Sequence, residues 1–260
     1  MNFKRDFTST VGVPVYFDGN EVEVDSKFLS ISKKIVIGAE NVKRIYINSY
    51  TVFPKTIYKI YYLDEVKPIF SKVGLTITLM TIFPEIIGIE YAKTKTFKAV
   101  SYVRVVEIIQ GKGRAILTSP TLDAVFIINF DTGSKFIIPP DWFYTLVNIG
   151  KKTVFLVELH NRNDQSTECL KGYRGAPFYI IERNSSKEVV KNSRYKNIRE
   201  YATLDMDVMS KYLDIAPKTA IIKQFLRKYE KFAWFYDPSA IDWPSVFGEY
   251  TASRRYFCSG

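Results

Sequence analysis

Short runs of β-branched and aromatic residues, each followed by a turn signal, are the feature that most limits what this 260-residue chain can fold into. From Leu75 onward, apolar side chains alternate with threonines, as expected for a strand that is buried on one face. Strands are predicted at 73–83, 102–110, 114–119, 124–130, 135–138, 153–159 and 178–182. Turn signals about every 8–12 residues are typical of a sandwich or a small barrel. We therefore predict a mainly β domain over residues 1–196.

The apolar spacing becomes helical near the end of the chain. One stripe runs from Leu204 to Ile215 and a second from Ile221 to Phe232, with basic residues on the opposite face of the second. Pro217 stands where the first residue of a helix is expected, since a proline there loses no hydrogen bond. These stripes predict a helical C-terminal extension over residues 197–260.

The scarcity of histidine and cysteine narrows the chemistry. His160 is the single histidine, which argues against a zinc enzyme, because catalytic zinc usually takes about two or three histidine ligands. Cys169 and Cys258 cannot form a disulfide framework, and free thiols suit a reducing compartment. Residues 1–10 lack the apolar core of a signal peptide, and residues 73–89 are too interrupted to span a membrane. We expect a soluble cytoplasmic protein with no membrane partner.

The charge balance favours acidic partners. The formal net charge is +10, from 37 basic and 27 acidic side chains. Residues 200–260 contain eight of each sign, so the first 199 residues carry the whole excess. Such a surface suits nucleic acid, anionic lipid or phosphorylated small molecules, although lysine-rich surfaces can also be merely solvated. Abundant Lys, Glu, Ile and Tyr beside only three Gln are typical of a thermophile.

A distinctive motif, FIIPPDWFYTLVNIG, stands at residues 136–150. It resembles the motif of the archaeal cupin-type glucose-6-phosphate isomerases, in which Pro-Pro precedes Trp-Ala-His and then Asn-x-Gly. The resemblance continues upstream through residues 83–95 and 110–113, and downstream through residues 171–196. It covers residues 75–196 and implies a cupin barrel, that is, a double-stranded β-helix or jelly roll.

The resemblance also implies a site, and that site is replaced here. Family members are dimeric barrels that hold one divalent metal through three histidines and a glutamate, which leave the ion open to the sugar. The matching positions in this chain hold Phe97, Ala99, Arg104 and Tyr144. Prolines, glycines and Trp142 that shape the fold are retained. The fold is kept while the chemistry is lost, so we predict a non-catalytic relative, or pseudoenzyme, with no cofactor and no bound metal, which forms a homodimer.

The converted pocket still suggests a ligand. Arg104 replaces a carboxylate that the resemblance assigns to the metal, and a guanidinium suits phosphate or carboxylate groups. One hypothesis is a site for a sugar phosphate or another small anion, with His160 in its wall. Its predicted donors are Thr94, Lys95, Arg104 and Tyr144. The alternative is that Arg104 pairs internally with Glu168 and that the aromatic side chains fill the cavity.

An altered isomerase is a second alternative. His160 and Glu168 are its weak candidates for catalytic residues, because a proton shuttle needs a positioned base beside C1 and C2 of the sugar. In the register that the resemblance implies, the other nearby acids, Glu107 and Glu158, point away from the pocket.

Macromolecular partners stay open as well. Basic clusters that are interleaved with tyrosines occur at 33–34, 43–44 and 187–199, although no RNA-binding motif is present. Residues 207–219 resemble part of a helix-turn-helix, in which the second helix would enter the major groove of DNA. The match is partial, because Asp214 replaces the turn glycine and residues 200–260 are net neutral. A DNA-binding regulator and a protein-binding structural role therefore complete the hypotheses.

Overall fold

A computed structural model describes residues 4–168, 170–204, 210, 212–243, 245–247 and 255–257. Its strands are β1 (Arg5–Asp6), β2 (Val15–Phe17), β3 (Val22–Val24), β4 (Leu29–Ile37), β5 (Tyr58–Glu65), β6 (Leu75–Ile82), β7 (Ile86–Ile87), β8 (Glu90–Tyr91), β9 (Phe97–Val100), β10 (Arg104–Gln110), β11 (Gly113–Thr118), β12 (Val125–Phe130), β13 (Lys135–Ile138), β14 (Phe143–Asn148), β15 (Val154–Asn161), β16 (Gln165–Glu168), β17 (Phe178–Arg183), β18 (Ser186–Lys191), β19 (Glu200–Thr203) and β20 (Arg255–Phe257). Its α-helices are α1 (Thr8–Val11), α2 (Ala39–Val42), α3 (Ile221–Lys228) and α4 (Ala233–Tyr236).

Two sheets form the barrel. Over the described residues, one sheet has the strand order β13-β10-β15-β6-β5-β4, and the other has the order β16-β9-β14-β11-β12-β19-β20. Neighbouring strands are antiparallel except for the β12–β19 pair, which is parallel. Buried side chains from both sheets belong to one hydrophobic core. The prediction of a mainly β, cupin-type barrel is therefore confirmed.

The strands that the sequence predicts are all found, with ends that move by no more than two residues. The run predicted at 73–83 is β6, and the run predicted at 102–110 is β10.

The turn predicted between β10 and β11 depends on Gly113. A Cβ atom there would lie 2.2 Å from the Phe130 ring and 2.3 Å from the Val147 carbonyl oxygen, so no larger residue fits. This close approach fixes the start of β11, where the chain passes from one sheet to the other.

The described part of the segment after residue 196 contains helices, as predicted, and, in addition, two strands. β19 extends the larger sheet by pairing with β12, and β20 pairs with β19. The side chains of Ile221 and Phe225 in α3 lie in the same core as the barrel strands, so the core continues across the predicted boundary. None of the helices in the described part of the chain has the length and apolar character needed to cross a membrane.

The helix-turn-helix prediction falls partly outside the described residues, since 207–209 and 211 belong to its predicted first helix. The second helix begins at Ile221, so the prediction that Pro217 opens it is wrong. The Glu107 carboxylate accepts a hydrogen bond from the Ile221 amide at 2.8 Å, which fixes the start of the helix there. Residues 217–220 form the turn that leads into it.

Candidate functional site

A cavity of about 360 Å³ lies between the two sheets of the barrel. Its polar lining residues, here called the polar wall, are Thr78, Arg104, Tyr144, Glu158, His160 and Asp164. Its apolar lining groups, here called the apolar wall, are Ile60, Met80, Phe97 and the ring of Tyr62. The sequence reasoning placed Arg104, Tyr144, His160 and Phe97 in this cavity, and the structure brings these four together.

Strand register explains how the polar wall is assembled. Arg104 on β10 stands opposite His160 on β15, and Val106 stands opposite Glu158. Because side chains alternate along a strand, Arg104, Glu158 and His160 share one face. The prediction that Glu158 points away from the pocket is therefore wrong. Its position two residues before His160 on the same strand is the signal that places it inside.

Glu107 points away from the cavity, as predicted. It stands opposite Lys135 in the β10–β13 pair, and the two form a buried ion pair with an Nζ–Oε1 distance of 2.9 Å. This pair lies on the side of the sheet where α3 packs, because Glu107 also binds the first amide of that helix.

Arg104 is the centre of the polar wall. Its Nε donates to Asp164 Oδ2 at 2.8 Å, and its Nη2 lies 2.6 Å from the same oxygen. Its Nη1 donates to Tyr144 Oη at 3.1 Å and forms an ion pair with Glu158 Oε1. Tyr144 Oη in turn donates to Glu158 Oε1 at 3.0 Å. Arg104 thus has internal partners, as the alternative hypothesis expects. The proposed pairing with Glu168 concerns a side chain that lies outside the described part of the chain.

Asp164 is a site residue that sequence reasoning missed. It follows β15 in a turn, where its amide donates to the Asn161 carbonyl oxygen at 2.9 Å. The turn brings its carboxylate to an arginine 60 positions earlier in the chain. No periodic pattern marks a turn residue of this kind, so only the folded chain reveals the contact.

Burial and neighbouring charges set the ionisation of the polar wall. Burial raises the pKa of Tyr144 well above its ordinary value and raises the pKa of Asp164. Burial and the nearby Arg104 charge together lower the pKa of His160 to about 4, although Glu158 opposes them. Although burial lowers the pKa of Arg104, the neighbouring Tyr144, Glu158 and Asp164 raise it overall. At pH 7 the wall therefore contains one fixed cation, a neutral phenol, a neutral imidazole and two carboxyl groups.

The low pKa of His160 predicts a pH-dependent stability. Between the ordinary value of 6.5 and the folded value of about 4, the unfolded chain binds a proton that the folded chain does not. Stability is complete above pH 6.5 and falls as the pH drops through this window, by about 3 kcal/mol in total. We expect His160→Gln to remove this loss, as measured by urea denaturation between pH 7.5 and 4.5. An equal loss in the variant and the wild type would contradict the prediction.

Two of the four predicted anion donors lie elsewhere. The Thr94 hydroxyl accepts a hydrogen bond from the Leu146 amide at 3.0 Å, and the Lys95 amide donates to Tyr58 Oη at 3.3 Å. Neither Thr94 nor Lys95 lines the cavity. The predicted donor set is therefore not brought together, because the turn that follows β8 holds these residues against neighbouring strands.

The positions that the resemblance assigns to a divalent metal do not fit one. Phe97 and Ala99 carry no donor atom, and Ala99 is buried outside the cavity lining. Arg104 places a cation where a ligand would be, and burial keeps the Tyr144 phenol protonated. The described residues contain no group of three or more His, Cys, Asp or Glu that could hold a metal ion.

The basic clusters are partly neutralised. Lys34 forms an ion pair with Glu21 at 2.6 Å, and Lys43 forms one with Glu40 at 2.9 Å. The charge that these clusters offer to nucleic acid is therefore smaller than their composition indicates. A nucleic-acid partner, a protein partner, the homodimer and the cytoplasmic location stay predictions.

Comparison with known proteins identifies the relatives of this chain. The family model "Glucose-6-phosphate isomerase (GPI)" matches residues 51–198. The glucose-6-phosphate isomerase of Pyrococcus furiosus is 27% identical over 145 residues, which cover 54% of this chain and 73% of that protein. The glucose-6-phosphate isomerase of Pyrococcus horikoshii is 24% identical over 194 residues, which cover 69% of this chain and 97% of that protein.

Similar solved structures include oxalate decarboxylase from Bacillus subtilis, with a TM-score of 0.36 and 16% identity over 43% of this chain and 27% of that chain. Recombinant pro-11S globulin of pumpkin gives a TM-score of 0.37 and 12% identity over 44% of this chain and 34% of that chain. The family match spans more than half of the present sequence, including the strands that carry Arg104, Tyr144, Glu158 and His160. This chain therefore belongs to the glucose-6-phosphate isomerase family.

Proposed function

We propose that this chain is a non-catalytic, metal-independent member of its family and that its barrel cavity binds a small polar molecule. The observation that carries the proposal is the Arg104 cluster. Where the resemblance implies a metal-binding carboxylate, a guanidinium is held by Asp164, Glu158 and Tyr144. A guanidinium supplies a fixed positive charge, but it has no open coordination position for a sugar oxygen.

The size and lining of the cavity support a binding role. Ligand cavities usually measure about 300–1,000 Å³ and combine apolar walls with a few placed polar groups. The present cavity, of about 360 Å³, lies at the small end of that range. It therefore suits a molecule of about one sugar ring.

Metal analysis together with an isomerase assay tests this proposal. The purified protein is incubated with Mn²⁺, Zn²⁺ or Ni²⁺, freed of unbound ion, and assayed with glucose 6-phosphate beside the Pyrococcus furiosus enzyme as a positive control. We expect no stoichiometric metal and no turnover above that of the buffer. Stoichiometric metal together with turnover would contradict the proposal.

An altered, metal-free isomerase is the second candidate, and one observation favours it. Glu158 and a neutral His160 share the polar wall, and such a pair can move a proton next to a carbonyl group. Glu158 rather than Glu168 is then the partner of the histidine. Metal-free turnover that Glu158→Gln and His160→Gln each abolish would favour this candidate over the binding role.

A further inference from the structure

The cavity lining indicates which class of molecule it takes. Building on the proposed binding function, we infer that the cavity selects a neutral polyhydroxylated molecule, such as a free sugar or a sugar alcohol, and rejects phosphorylated ones. A neutral ligand differs from the anion that the sequence suggested. Three features favour it: the contacts of Arg104, the charge of the polar wall and the presence of the apolar wall.

Arg104 is not available to an incoming phosphate. Asp164 engages its Nε and Nη2, while Tyr144 and Glu158 engage its Nη1. The side chain is only 4% exposed. A phosphate would have to displace a buried carboxylate from the guanidinium, and that carboxylate would then remain in the cavity without a counter-charge.

The charge of the polar wall opposes a dianion. The wall contains two carboxyl groups, Glu158 and Asp164, and one permanent cation, Arg104. If both carboxyl groups are ionised, the wall is net negative; if Asp164 is protonated, the wall is neutral. In neither case is it positive, and an uncompensated anion in a buried site is strongly disfavoured.

The same groups suit hydroxyls. Carboxylate oxygens only accept hydrogen bonds, so they pair with the O–H donors of a polyol. The Tyr62 hydroxyl has no hydrogen-bond partner among the described residues, and its half-buried side chain lines the cavity beside Ile60 and Met80. A pyranose ring can place its C–H face against this apolar wall while its hydroxyls face the acceptors. The amphipathic lining therefore matches an uncharged sugar better than a sugar phosphate.

Titration calorimetry with four probes tests the inference. The probes are glucose, glucitol, glucose 6-phosphate and inorganic phosphate, each measured at pH 7 in low salt. We expect the dissociation constant of glucose or glucitol to be at least about tenfold below that of glucose 6-phosphate and that of inorganic phosphate. A tenfold difference in affinity is about what one well-placed hydrogen bond contributes. Equal or tighter binding of glucose 6-phosphate or inorganic phosphate would overturn the inference.

Two variants test the residues. Tyr62→Phe removes a hydroxyl that has no hydrogen-bond partner among the described residues. The variant should therefore leave Tm unchanged and weaken sugar binding by about tenfold at most. Glu158→Gln should weaken sugar binding and strengthen phosphate binding, because it leaves Arg104 less compensated. Glu188→Gln on the exposed strand β18 is the matched control and should change neither. Sugar binding that both cavity variants leave unchanged would overturn the inference.

The outcomes separate the inference from the proposed function. Preferential binding of a phosphorylated probe overturns the inference alone, because the cavity would still be a binding site. Heat from none of the four probes overturns the inference and the binding role together. Metal content and turnover decide the non-catalytic role, and they do not depend on which probe binds.

Discussion

Replacing Arg104 with methionine is expected to lower the free energy of unfolding by about 3–5 kcal/mol at pH 7, the usual result of leaving buried charges without their partner. Methionine keeps an apolar stem in place of the arginine stem but removes the charged guanidinium. Glu158 and Asp164, whose side chains are 3% and 0% exposed, would then face each other without a counter-ion. Urea denaturation of the wild type and of Arg104→Met measures the difference.

The pH dependence of the lost stability shows whether carboxylates without a counter-ion cause it. Burial raises the pKa of Asp164 even when Arg104 is present, and loss of the Arg104 charge, which lowers this pKa, raises it further. A group with a raised folded pKa is destabilising above that pKa, and the penalty fades as the pH falls towards the unfolded value. The deficit of Arg104→Met should therefore be largest at pH 7 and shrink towards pH 4.

A combined variant is the control for cavity shape. Arg104→Met with Glu158→Gln and Asp164→Asn removes all three charges and has the same loss of volume at position 104 as Arg104→Met alone. Because replacing a whole buried ion cluster with neutral groups can be nearly neutral, most of the lost stability should return. A deficit below about 1 kcal/mol in Arg104→Met, or a deficit that does not change with pH, would show that the three groups do not form a buried charged cluster.

The sequence was sufficient for the barrel and for part of the site. Alternating apolar residues around Leu75 predict a strand, and Gly111 and Gly113 predict a turn. Both depend on neighbours in the chain, which is the information that a sequence carries most directly. The motif at residues 136–150 placed Tyr144 in the cavity through the family resemblance. Arg104 and His160 followed from the same alignment.

The sequence was insufficient where contacts join distant residues. The register derived from the resemblance placed the Glu158 side chain outside the barrel. Side chains alternate along β15, so Glu158 in fact shares the inward face of His160. Asp164 lies in a turn without periodicity. The start of α3 is set by a bond between the Ile221 amide and a carboxylate 114 positions earlier, which no local propensity reveals.

Net charge alone does not determine what the cavity binds. The whole chain carries +10, which favours acidic partners in general. Charge on the outer surface does not determine the potential inside a buried cavity, where the nearest groups dominate. Inside this one, two carboxyl groups surround a single guanidinium. A basic protein can therefore contain a cavity that disfavours phosphate.

Leucine in place of Glu107 is expected to release α3 from the barrel and to cost about 3–5 kcal/mol, because Lys135 would remain buried without a partner. Glu107 Oε1 lies 2.9 Å from Lys135 Nζ, and its Oε2 accepts the Ile221 amide at 2.8 Å. Lys135 Nζ also donates to the Pro217 carbonyl oxygen at 2.6 Å. The buried pair thus holds both the start of the helix and the turn before it.

Amide hydrogen exchange distinguishes loss of this attachment from a general loss of stability. Glu107→Leu should accelerate exchange of the α3 amides more than exchange in β6, which β15 separates from β10 in the same sheet. Glu107→Gln keeps an acceptor for the Ile221 amide while removing the charge, so it should lose stability but retain more of the protection at the start of α3. If the amides at the start of α3 exchange equally fast in Glu107→Leu and Glu107→Gln, the helix is held by its buried residues Ile222 and Phe225 alone. The carboxylate then has no part in placing it.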